Sequence, residues 1–315
     1  MTPVTLVPQA YPALPARTIA LCRGEEELQF GLSDDVALTV PLPRGVRARD
    51  MLAVLHRLDG ETPLPHALAS TSLSSTYENV ISELVESLVA EGVLERGRAV
   101  PDPWESAPGR GPQCPPEPGG SVVHMVGRGD MARRVEAPLG QAGFRCQWSE
   151  RLGLRLDLER PPWQRLGPAD IVVLADDLVP DPLVLDALAR SGTPHIYLAC
   201  RDGRVVVGPT VVPARTACLR CADLYRTDRN PQWPAMSAQL LFTSGWAPIP
   251  SRVSAVALVL AEMNTLRRSG AESMLTLGHS VEISVEQGLW RRRKWQPHSR
   301  CGCGASEADF GIVVA

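Results

Sequence analysis

The sequence predicts two domains, a small α+β domain of winged-helix type followed by a larger α/β domain built on a parallel sheet. Three observations lead there. Three strand-like and three helical runs fill the first hundred residues. A stretch dense in proline and glycine, Val100 to Gly120, then interrupts the chain. Beyond it, strand and helix patterns alternate. At 315 residues the chain is long enough for two cores, and 44% hydrophobic with 21% charged residues is ordinary globular composition.

In the first domain, covering residues 1–99, the strand-like runs are Arg17 to Cys22, Glu27 to Gly31 and Val36 to Val40, punctuated by Gly24 and by Ser33-Asp34-Asp35. Val46, Met51, Leu52, Leu55 and Leu58 share one helical face, which Gly60 ends, and a short helix is expected after Thr62-Pro63. Ser75 and Glu78 have capping-box spacing, and Tyr77, Val80, Ile81, Leu84, Val85 and Leu88 recur at three and four residues until Gly92. Residues 100–120 read as an interdomain linker, because proline at this density sustains neither helix nor central strand.

The second domain, residues 121–315, is expected to run as strand Ser121 to Val126, a glycine loop, a helix to about Ala142, and strands at Phe144 to Trp148 and Asp170 to Ala175. A helix at Pro182 to Arg190, a strand at His195 to Cys200, a helix at Ser254 to Arg268 and a late strand at Val281 to Val285 follow. This is a Rossmann-like pattern. Gly127 and Gly129 supply two glycines of a G-x-G-x-x-G loop, with Ala132 at the third place. The loop could hold nucleotide phosphate or serve fold geometry alone. Asp130 is expected to set a carboxylate at the helix N-terminus, where it would repel an anion, and the one lysine in the chain, Lys294, is remote in sequence.

Cys218 and Cys221 (C-x-x-C) and Cys301 and Cys303 (C-x-C) form two close pairs some eighty residues apart. Four thiolates suit a closed tetrahedral zinc site of structural type. A disulfide or a redox pair is the alternative, and His298 could replace one sulfur. Cys22, Cys114, Cys146 and Cys200 stand singly and read as idle or buried thiols. A net charge of −3 argues against a nucleic-acid partner. A DNA-reading role for the third helix fails too, since it carries Glu78, Glu83, Glu86 and Glu91 and no basic residue. Arg291 to Lys294 is the one cationic run and reads as a solvated segment flanking a strand. No signal-peptide pattern and no membrane-length apolar run is found, so a reduced, cytosolic setting is expected.

Val122 to Gly129, Asp170 to Asp177, the run Pro209 to Cys221 and the closing cysteines resemble the ThiF-like, ubiquitin-activating-type adenylation fold. The chain is more closely similar to the ThiF-like leader-peptide-binding proteins (Ocin-ThiF type) of azole-forming natural-product pathways, whose ending is similar to Pro297-His298-Ser299-Arg300-Cys301-Gly302-Cys303. The resemblance spans nearly the whole chain, and the cysteine motifs and the domain order are its most specific parts. It implies a non-catalytic protein with a structural zinc and no nucleotide. Such a protein binds the leader of a ribosomally made precursor peptide and delivers it to a YcaO-type cyclodehydratase that closes Cys, Ser or Thr side chains into azoline and azole rings. It further implies that the leader adds as a strand beside Val36, Ala37, Leu38, Thr39 and Val40, against the helix bearing Tyr77, Val80, Ile81, Leu84 and Leu88. Val80, Leu84 and Leu88 could equally be core. Asp176 matches the aspartate that binds metal and phosphate in active relatives, and no cysteine lies between Cys221 and Cys301 to carry an acyl group. The competing expectation is an active ATP-dependent adenylating enzyme. Folds of this type often form homodimers.

Overall fold

The structure is a computed structural model and describes residues 11–15, 18–33, 37–69, 71, 73, 77–97, 121–127, 129–149, 161–167 and 170–306. Asp34, Asp35, Val36, Ser75, Cys114, Arg128 and the expected linker at 100–120 therefore lie outside the described residues. The chain divides into two compact units, Met1–Glu105 and Ser106–Ala315.

In the first unit, β1 (Pro12–Ala13) pairs antiparallel with β5 (Glu95–Arg96). A three-stranded antiparallel sheet has the order β2 (Ala20–Cys22), β3 (Glu27–Phe30), β4 (Leu38–Pro41), which leaves β4 at an edge. Pro41 is the strand's last residue. Proline is tolerated there because an edge position needs no second N–H partner. The helices are α1 (Ala48–Leu55), α2 (Leu64–Ala69) and α3 (Glu78–Ala90). They enclose one core with the sheet, including Leu28, Phe30, Met51, Leu55, Ile81, Val85 and Leu88. Ser75, one half of the expected capping box, lies outside the described residues. Tyr77 holds the N-cap position of α3 without a side-chain cap bond, and Glu78 is the first residue of the helix.

The second unit is built on a seven-stranded mixed sheet. Its strands are β6 (Val122–Val126), β7 (Arg145–Ser149), β8 (Ile171–Ala175), β9 (His195–Arg201), β10 (Arg204–Val211), β11 (His279–Ser284) and β12 (Leu289–Lys294), in the spatial order β12-β11-β10-β9-β8-β6-β7. β7, β6, β8 and β9 run parallel, whereas the pairs from β9 to β12 are antiparallel. Helices α4 (Asp130–Gln141) and α8 (Ile249–Ser269) share one core with the sheet, and α5 (Pro182–Arg190) packs into another. This architecture fits a Rossmann-like domain. α6 (Leu219–Arg229) and α7 (Trp233–Gln239) lie between β10 and α8.

Two strands depart from expectation. β10 is buried along its whole length although Gly208 and Pro209 interrupt its pattern, and a register shift between Val207 and Thr210 absorbs them. Arg291 to Lys294 is not a flanking segment but the body of β12, an edge strand whose charges keep it soluble. Helix α8 also carries buried charge within its apolar face. Glu262 accepts from the N–H groups of Leu275 (3.1 Å) and Thr276 (2.9 Å) and from the Thr276 hydroxyl (2.5 Å), fixing the turn that precedes β11. Glu262→Ala strands these buried donors, so urea denaturation is expected to show a loss of about 2–4 kcal/mol.

Candidate functional site

The chain's Rossmann-like loop lies between β6 and α4, beside the carboxyl end of β8. Backbone N–H groups at the start of a helix bind anions readily. Here they are already engaged by Asp176, the residue directly after β8. Its carboxylate accepts from Gly129 (2.9 Å), Met131 (2.9 Å) and Ala132 (3.3 Å). Both glycines are explained by this approach. A Cβ on Gly129 would overlap the Asp176 carboxylate, and one on Gly127 would lie 2.5 Å from the Ala175 carbonyl oxygen. Asp176 takes a left-handed backbone, φ 74°. Its burial outweighs the opposing amide bonds and pushes its pKa up to about 6.

Asp130 stands at the N-terminus of α4 as expected, but the amides there bond Asp176 instead. It is the first residue of α4, but its side chain turns to Arg134 and to Arg252 Nη1 (2.9 Å). Two guanidiniums hold it, and Arg252 ties α4 to α8. Asp176, reached across 45 residues, holds the place expected for it.

The four cysteines of the C-terminal motifs converge. Cys218 lies at the N-cap of α6 and Cys221 in its first turn. Cys301 and Cys303 follow β12. All four sulfurs lie within 4.8 Å of one another. Cys218 Sγ is 3.8 Å from that of Cys221 and 3.6 Å from that of Cys301, and Cys221 Sγ is 3.7 Å from that of Cys303. A tetrahedral metal with sulfur at about 2.3 Å requires sulfurs about 3.8 Å apart. A disulfide requires about 2.05 Å, and the cysteines are free. The arrangement therefore fits a metal ion and not a crosslink. Hydrogen bonds from the Cys218 thiol and the His298 N–H (3.3 Å) hold Cys221 well below the usual thiol range, and the same contact raises Cys218.

His298 is not a ligand in this geometry. Its Nδ1 accepts from the Arg300 N–H (3.1 Å), so Nε2 carries the proton and donates to Asp228 Oδ2 (2.8 Å). Arg300 also pairs with Asp228. Sequence reading missed Asp228. Its only signal was a position one helical turn or more beyond Cys221, on the helix the cysteines begin. Trp295 and Ala222 pack against the cysteines, so the cluster joins α6 to the segment after β12.

In the first unit, the register of β4 determines what its outer edge presents. Leu28 pairs with Val40 and Phe30 with Leu38, and the Leu42 N–H donates to the Glu26 oxygen (2.8 Å). By alternation, Leu38, Val40 and Leu42 direct their backbone groups to β3. The Thr39 N–H and C=O and the Pro41 C=O point to the outer edge, where no strand pairs with β4 among the described residues. Val40 packs on the core, whereas Leu38, on the same face, is 37% exposed. On α3, Val80 is 40% exposed, and Tyr77 and Leu84 are half-buried against the core. Tyr77 also reaches the turn after β4, since a Cβ on Gly45 would overlap its hydroxyl. Ile81 and Leu88 are buried at 0% and 2% in the core of the unit. Ala37 precedes β4 and donates to the Ser33 carbonyl (2.9 Å).

No protein-family model and no curated protein sequence matches the chain. Solved structures are similar at low identity. A heterocyclase in complex with substrate and cofactor is 13% identical with a TM-score of 0.42, over 94% of this chain and 40% of that one. The heterocyclase TruD is 12% identical with a TM-score of 0.41, over 94% of this chain and 43% of that one. E. coli MccB with MccA is 12% identical with a TM-score of 0.44, over 94% of this chain and 100% of that one. The chain thus spans less than half the length of the two heterocyclases. No described helix is long and apolar enough to cross a membrane.

Two outcomes are expected. Asp176→Ala frees three amides and should cost about 1–3 kcal/mol in chemical denaturation. Cys221→Ser should abolish stoichiometric metal in elemental analysis and lower stability by at least about 3 kcal/mol relative to the loaded protein.

Proposed function

We propose that this chain is a non-catalytic peptide-binding protein. Its first unit, of winged-helix type, takes the leader of a ribosomally made precursor peptide as an added strand on β4. Its second unit is a ThiF-like scaffold that binds no nucleotide and is clamped by zinc at Cys218, Cys221, Cys301 and Cys303. The protein delivers the bound precursor to a YcaO-type cyclodehydratase that forms azoline and azole rings. The observation that carries this reading is the outer edge of β4. It directs an N–H and two carbonyls outward beside the exposed side chain of Leu38, and α3 of the same unit exposes Val80. Strand addition needs that combination: backbone groups give affinity, and side-chain pockets give register.

Two further features support it. The amides that would cradle a phosphate are held by Asp176, and four soft thiolates at tetrahedral spacing suit zinc of structural type. The resemblance of both cysteine motifs and of the domain order to leader-binding partners points the same way.

Fluorescence anisotropy with a labelled leader peptide tests the reading. Thr39→Pro removes the one outward N–H of β4, and Val80→Asp charges an exposed apolar position. Each is expected to weaken binding about tenfold or more while circular dichroism stays unchanged. Val80 is preferred to Leu84, which packs on the core. Normal binding by both variants would refute the β4 site. Titration calorimetry with Mg-ATP is expected to give no heat. Binding and turnover of ATP by the purified protein would instead establish an adenylating enzyme.

A further inference from the structure

One edge of the seven-stranded sheet is β12, and no strand pairs with its outer side among the described residues. The register with β11 determines which backbone groups that side presents. The Trp295 N–H donates to the Gly278 carbonyl (2.9 Å), directly opposite it in the register. Bonded and non-bonded pairs alternate along an antiparallel ladder. Leu289, Arg291 and Arg293 therefore bond β11, whereas Trp290 and Arg292 direct their N–H and C=O groups outward. No proline interrupts the strand.

The side chains along this edge carry positive charge on both faces of the sheet. Arg292 is opposite Val281 and Trp290 opposite Ile283, on the face that packs against α8. Arg291 and Arg293 lie on the other face. Glu282 binds Arg291 (2.6 Å), Arg292 donates to the Leu275 carbonyl (2.9 Å), and Arg293 packs 4.3 Å from the centre of the Trp295 ring. Among the described residues neither Arg292 nor Arg293 has a carboxylate within ion-pair distance. Trp290, between Leu289 and the cations, is 57% exposed. Beside the end of the strand a pocket of about 400 Å³ opens, lined by Arg293 and Lys294 from β12 and by Tyr225, Asp228 and Arg229 from α6. Its one carboxylate, Asp228, is taken by His298 and Arg300.

Charge decides which strand such an edge accepts. Pairing with the β12 edge of a second copy would set Arg292 opposite Arg292 and Arg291 opposite Arg293, and like charges directly opposite are destabilising. A neutral strand would desolvate the guanidiniums without a counter-charge. Solubility accounts for the cations but not for the exposed Trp290 beside them, since an edge blunted by charge gains nothing from apolar surface. We propose that β12 takes an extended acidic segment of a partner polypeptide as an added strand. The segment's backbone bonds Trp290 and Arg292, its carboxylates meet Arg292 on one face and Arg293 on the other, and Trp290 supplies apolar contact. The pocket at the strand end has room for one more acidic side chain. The site lies wholly in the second unit and stands whether or not a leader binds β4.

The test is fluorescence anisotropy of the metal-loaded full chain at constant ionic strength with three labelled octapeptides. One alternates glutamate and threonine, one is the same peptide N-methylated at every backbone amide, and one alternates lysine and threonine. The first is expected to bind saturably and the other two about tenfold or more weakly. Arg292→Glu and Arg292→Pro should each weaken binding of the first about tenfold or more, the former through charge and the latter by removing an outward N–H that β11 does not use. Should Arg292→Pro lose its native circular dichroism, the N-methylated peptide still tests the backbone bonds. No saturable binding of the glutamate peptide, equal binding of its N-methylated form, or unchanged binding by Arg292→Glu overturns the proposal. A dimer in sedimentation velocity that Arg292→Glu disrupts also overturns it, because the edge then belongs to a second copy of this chain.

Discussion

The carboxylate of Asp176 on the first amides of α4 sets the character of the second unit. Those amides carry the positive end of the helix dipole and need an acceptor. The chain supplies one from the end of β8, so the loop from β6 to α4 closes on protein, and its glycines are small because the carboxylate and the strand end press against them. The same contact ties β6, β8 and α4 at the carboxyl edge of the sheet. It forces a left-handed conformation on Asp176, which the surrounding packing has to sustain.

The cysteine cluster acts at a different place for a different reason. β12 and the residues after it are polar and sit at the sheet edge, where little apolar burial is available to hold them. Four sulfurs at tetrahedral separation give this edge a fixed point on α6, and His298, Asp228 and Arg300 brace the loop around it.

The first unit places its open possibilities elsewhere. Ile81, Val85 and Leu88 are buried in its core, whereas Leu38 and Val80 are each more than a third exposed. An edge strand with outward backbone groups and adjoining apolar side chains is normally hidden or blunted in a protein of this size. Within β4 itself, Pro41 removes one outward N–H.

Much of this was readable from residue order alone. Alternation located β6, β8 and β9, helical periodicity located α1, α3 and α5, and the cysteine spacing named all four members of the cluster, because each of these signals is local or carries a distinctive chemistry. Periodicity could not separate Ile81 and Leu88, which face the core, from Val80, which does not, since all three lie within one apolar sector. β10 was obscured by Gly208 and Pro209, whose cost a bulge absorbs only when β9 and β11 are in place. β12 was obscured by its arginines, which are favourable only at an edge, and edge position is a property of the assembled sheet. The choice between Asp130 and Asp176 for the α4 amides likewise belonged to tertiary structure: sequence nearness favoured Asp130, but Arg134 and Arg252 hold it, and the left-handed turn after β8 brings Asp176 across instead.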